Sequence, residues 1–124
     1  MPSSRQLDRL ADIVTNCERI ARHTAGMSRE AYFADEKTID AVERCLQRIS
    51  EAAVRLGPEL DARHRDAPWK EARGIGNILR HKYDEIVDDL IWASIATDIP
   101  RLRESAMKEI ARLKSSTDDG GTTV

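Results

Sequence analysis

Apolar residues along this 124-residue chain recur in alternating steps of three and four. Leu7, Leu10, Val14, Cys17 and Ala21 make one stripe, and Ile39, Val42, Leu46, Ile49, Ala53 and Leu56 make a second. Residues three and four apart lie on one side of an α-helix, so each stripe predicts a helix with one buried face. Ser3 or Ser4 can cap the first helix, which should end near Gly26. Asp35 can cap the second, and Gly57 with Pro58 should stop it. Residues 28–34 read as a short turn or helical fragment, and 58–64 as a short third helix. Pro68 suits the first turn of a helix over 68–81. Another helix is expected over 85–96. Asp98 as cap and Pro100 as first-turn residue then open a last helix carrying Leu102, Ala106, Ile110 and Leu113.

The short connections predict an all-α, antiparallel up-and-down bundle of four to five helices. It forms one domain over residues 1–114. Residues 115–124 are Ser, Thr, Asp and Gly with a single Val, too little apolar content to fold, and are expected to be a disordered tail. No internal repeat is visible.

Composition narrows this picture. Charged residues make up 34% of the chain and aromatics 4%, a balance that favours helices with solvated outer faces over a sandwich or barrel. A chain of this length buries about two-thirds of its unfolded surface as one domain. The formal charge of −2 argues against a globally cationic nucleic-acid binder, so any RNA contact must come from a local cluster of arginines. Cys17 and Cys45 lack CxxC spacing and read as reduced core residues of a cytoplasmic protein. With no apolar stretch approaching 18 residues, and no cationic segment leading into one, neither secretion nor a membrane partner is expected.

Polar chemistry gathers in residues 69–92. At about 100° per residue, Arg73, Asn77, Arg80, His81 and Asp84 share roughly a 100° arc, while Ile75, Ile78 and Leu79 lie opposite. Two guanidinium groups, an amide and an imidazole suit a phosphodiester, because arginine grips phosphate oxygens bidentately and histidine exchanges protons near neutral pH. The same residues admit plainer readings. His81 could simply end a helix, where the C-terminal dipole favours it, and the arginines could be a solvated face. Gly74-Ile75-Gly76 lacks the third glycine and the preceding strand of a dinucleotide site, although close backbone approach to another helix or a dimer partner would explain glycine there. His23, His64 and the acids of 61–66 have no zinc-ligand spacing, and no cofactor or metal is expected. Trp69 and Trp92 read as packing residues at the two ends of the segment.

The run Gly76-Asn77-Ile78-Leu79-Arg80-His81-Lys82-Tyr83, with Trp69 before it and Asp88-Asp89-Leu90-Ile91-Trp92 after, resembles the signature of HepT-like proteins of the HEPN superfamily. That signature is Arg-Asn-x-Leu-x-His-x-Tyr. Residues 41–56 look like the second conserved helix of the family, and the likeness covers roughly residues 5–112. It departs from the pattern at Gly76, where the family has arginine. The resemblance implies a HEPN-like bundle and a metal-independent endoribonuclease, the toxin of a toxin–antitoxin pair whose antitoxin is a small nucleotidyltransferase. His81 would act as general base or acid on the ribose 2′-OH, with Arg80, Arg73 and Asn77 on the scissile phosphate. It also implies a homodimer with the 73–83 faces opposed, and adenylylation (AMPylation) of Tyr83 by the partner. Gly76 keeps a second reading open, a catalytically inactive protein that binds the nucleotidyltransferase or a nucleotide.

Overall fold

The computed structural model describes residues 4–81 and 85–122. In chain order the helices are α1 (Ser4–His23), α2 (Arg29–Phe33), α3 (Glu36–Leu56), α4 (Glu59–Arg63), α5 (Trp69–Arg80), α6 (Glu85–Ala93) and α7 (Ile99–Thr122). Among the described residues the fold is all-α. Helix α1 packs against both α3 and α7, and α3 also carries α5. The core is built from Leu10, Ile13, Cys17 and Ile20 of α1, Val42, Leu46 and Ile49 of α3, and Leu102 and Ala106 of α7.

Local signals explain most boundaries. Asp35 caps α3 as expected: Thr38 donates its backbone N–H to Asp35 Oδ1 at 3.3 Å and its hydroxyl to Oδ2 at 2.8 Å. These bonds to the charged form hold the Asp35 carboxyl below its usual range. Ser28 does the same for α2, accepting from Ala31 N at 3.1 Å. Gly57 ends α3 at φ +81°, a left-handed conformation that glycine enters without penalty.

The buried stripe of α1 is rotated from the expected one. Ile13 and Ile20 are fully buried, whereas Val14 is only partly so and Ala21 is exposed. Helix α1 lies between two partners, and its buried face follows the space between α3 and α7, which periodicity along one helix does not locate.

The expected break before the last helix is also absent. Ser94–Asp98 form a π-helical turn that joins α6 to α7 without interruption, with Ile99 N–H bonded to Ser94 O. Pro100 has no N–H to give and its ring crowds the preceding turn, so the chain widens by one residue instead of stopping. Asp98 is therefore not a cap. Burial raises its carboxyl pKa, against a hydrogen bond from Ser94 that acts the other way. Helix α7 continues through positions 115–122, beyond Leu113, its last buried residue before position 117. Among the described residues no helix is long and apolar enough to cross a membrane.

Candidate nucleic-acid site on α5

Helix α5 is fixed to the bundle at three points. At its start, fully buried Trp69 donates its indole N–H to Ser105 Oγ on α7 at 2.9 Å, so this aromatic is a packing residue with a satisfied polar atom. Trp92 packs against buried Tyr32, with ring centroids 5.5 Å apart. In the middle of α5, Ser50 of α3 bridges two backbone groups, donating to Arg73 O at 3.0 Å and accepting from Gly76 N at 3.2 Å. At its inner face Ala72, Ile75 and Leu79 are buried.

Arg73 does not stand free. Its guanidinium grips Asp61 with two parallel bonds of 2.8 and 2.7 Å, which hold the Asp61 carboxyl below its ordinary range and raise the arginine. The pair fastens α4 to α5. Arg80 carries no ion pair among the described residues, and both Arg80 and Asn77 are exposed.

The structure brings Arg73, Asn77 and Arg80 together along one groove of about 590 Å³. Its opposite wall belongs to α3, through Gln47, Glu51 and Arg55, and its floor includes Ser50 and Gly76. Helix α5 ends at Arg80. His81 follows as the C-cap residue with φ −118° and ψ 32°, its N–H bonded to Ile78 O at 3.1 Å and its side chain exposed. The helical-wheel arc thus holds as far as Arg80 and is broken at His81. Tyr83, the expected modification site, and Asp84, expected on the same arc, lie outside the described residues.

Two features were not anticipated. One is the α3 wall of that groove, which includes the exposed Arg55. The other is Glu109, whose side chain is completely buried yet charged. Arg112 and Arg63 donate to it at 2.7 and 2.8 Å, and His64 Nε2 lies 3.0 Å away. Burial would raise the carboxyl, but these bonds outweigh it and hold it down at about 2. Position 109 falls on the apolar face of α7 between Ala106 and Leu113, so a charge on that face was the available signal. Among the described residues no group of three or more His, Cys, Asp or Glu is placed to hold a metal ion.

The family model "Ribonuclease HepT-like" matches residues 13–109, most of the bundle and all of α5. The chain belongs to the HepT-like ribonuclease family. A protein named "Putative RNase TTE0752" from Caldanaerobacter subterraneus subsp. tengcongensis is 35% identical over 101 residues, covering 82% of this chain and 89% of that one. A "Probable ribonuclease HepT" from Thermococcus cleftensis is 31% identical over 96 residues, covering 77% and 87%. No solved structure matches the chain. Within this HepT-like bundle a Cβ at Gly76 would stand 3.2 Å from Ser50 Oγ, so glycine there lets α5 sit closely on α3.

Proposed function

We propose that this HepT-like protein is a cytoplasmic, metal-independent endoribonuclease. The observation that supports this most directly is the placement of exposed Arg80 with Asn77 on one groove, immediately before exposed His81. In the reaction the ribose 2′-oxygen attacks the adjacent phosphorus while His81 takes its proton or protonates the departing 5′-oxygen. The P–O5′ bond breaks, leaving a 2′,3′-cyclic phosphate and a 5′-hydroxyl. Arg80 and Asn77 bind the phosphate oxygens and stabilise the charge that develops there. Arg73, engaged by Asp61, positions α5 and reaches the phosphate only by leaving that pair. RNA is the substrate class because the nucleophile is the 2′-hydroxyl.

The family membership supports the RNase reading, and the finer roles follow from the likeness in motif. The protein acts as the toxin of a pair with a nucleotidyltransferase antitoxin, which adenylylates Tyr83. It works as a homodimer whose two α5 faces share one RNA. An AMP group beside the groove would compete with RNA for Arg80 by charge and volume. Gly76 favours a second reading, an inactive binding protein, because removing a phosphate-binding arginine costs several kcal/mol of transition-state stabilisation.

Incubating labelled RNA with the protein and a chelator decides between them. Cyclic-phosphate products that form with chelator present and vanish in His81→Ala support the ribonuclease. RNA left intact by the wild type, or cut equally by His81→Ala, overturns it. With ATP and the partner enzyme, intact mass should rise by AMP units in the wild type and stay unchanged in Tyr83→Phe.

A further inference from the structure

On α3, Arg44, Arg48 and Arg55 occur at positions i, i+4 and i+11. At 100° per residue these fall within about 40° of one another, and at 1.5 Å per residue the row extends over roughly 16 Å. Arg48 and Arg55 carry no ion pair among the described residues, and Arg44 makes only a 3.5 Å bond to Gln47. Arg55, at the end of the row, lines two grooves. On one side Arg55 faces Asn77 and Arg80 of α5 across the groove described above. On the other, Arg44, Arg48 and Arg55 face Arg19 of α1 across a groove of about 340 Å³. Glu51 borders both grooves and Asp12 borders the second, so Arg19, Arg44, Arg48, Arg55 and Arg80 outweigh the two carboxylates. A chain of net charge −2 therefore carries a continuous positive track.

We propose that this track binds the phosphodiester backbone of single-stranded RNA, leading it from the α5 groove over Arg55 and along α3 towards α1. The proposal rests on the ribonuclease reading for its direction, since Arg55 joins the track to the groove that holds Arg80. Its chemistry is independent of that reading. Guanidinium groups bind phosphate oxygens in a bidentate fork, and a polyanion presents one such charge at every nucleotide. A protein partner fits less well. The lining residues include no aromatic and, as an exposed apolar group, only Val54, whereas the centre of a protein interface is apolar and poor in charge. A second copy of the chain docked here about a two-fold axis would set arginine row against arginine row.

The test uses the full chain and a fluorescent oligoribonucleotide of about a dozen nucleotides, 2′-O-methylated so that it binds without being cut. Anisotropy titrations at several salt concentrations compare the wild type with Arg44→Ala/Arg48→Ala/Arg55→Ala. Each phosphate contact on a single strand contributes about −0.7 to the slope of log K against log salt. The triple variant should bind about tenfold more weakly or worse, with a slope shallower by about 2. Removing equal charge from exposed positions elsewhere, in Arg5→Ala/Lys37→Ala/Lys114→Ala, should leave the slope unchanged. Equal slopes in the track variant and the wild type, or equal losses in both triple variants, overturn the track. So does a wild type that fails to bind the oligonucleotide, which would leave the face to another occupant such as an acidic protein. Cleavage of unmodified RNA is scored separately, so a binder that never cuts would sink the ribonuclease reading and leave the track standing.

Discussion

Gly76 of α5 lies against Ser50 of α3, giving its N–H to the serine hydroxyl at 3.2 Å while that hydroxyl gives its proton to Arg73 O at 3.0 Å. The serine is buried and held by both bonds, so it has little freedom to retreat from a new side chain. Gly74, two positions earlier on the other side of Ile75, has nothing within 4 Å of where a Cβ would stand.

Two alanine substitutions should therefore behave differently. Gly74→Ala should stabilise the protein by up to about 1 kcal/mol, the helix propensity gained and unfolded-state entropy removed. Gly76→Ala gains the same propensity but pushes its methyl to 3.2 Å from Ser50 Oγ, and the crowding should cancel the gain or exceed it. Thermal denaturation of the two variants side by side checks the ranking. An equal rise in Tm for both would show that the contact with Ser50 is not what makes glycine suitable at position 76.

Arg73 and Arg80 should separate stability from activity. Arg73 is held bidentately by Asp61 with its side chain 22% exposed, and Arg73→Ala should cost about 1 kcal/mol in urea unfolding by untying α4 from α5. Arg80→Ala should change stability by less than about 0.5 kcal/mol, since it removes an exposed group with no ion pair among the described residues. RNA cleavage should fall further in Arg80→Ala than in Arg73→Ala. The reverse order would mean that Arg73 leaves Asp61 to reach the phosphate.

Acid should unfold the bundle through Glu109. Its carboxyl titrates at about 2 in the folded chain against an ordinary value of 4.5. A depressed folded pKa contributes stability above the unfolded value and loses it as pH falls towards the folded one, so the contribution fades between about 4.5 and 2. From the size of the shift this amounts to about 3 kcal/mol. Glu109→Gln should be markedly less stable than wild type near pH 7, because Arg63 and Arg112 then lose their counter-charge, and the gap should narrow as pH drops through that window. Denaturant midpoints across the acid range check this. A constant gap would assign the cost to packing alone.

Much of this protein follows from short-range rules that act along one helix. The stripe through Val42, Leu46 and Ile49, the cap at Asp35 and the stop at Gly57 each depend on residues within a turn of one another, and they appear in the structure where periodicity and capping chemistry put them. The arc of Arg73, Asn77 and Arg80 is legible for the same reason, because helical spacing alone sets it. The motif around His81 carried the family. Tertiary structure decided what those side chains meet. It took Arg73 into a pair with Asp61, brought Arg55 of α3 across from Arg80, and brought Arg63 and His64 to Glu109 over 45 or more residues of sequence. It also turned the Pro100 break into a π-turn and rotated the buried face of α1 between its two partners. Periodicity states which way a side chain faces on its own helix, whereas its partner depends on how two helices pack, and that is settled by burial summed over the whole bundle.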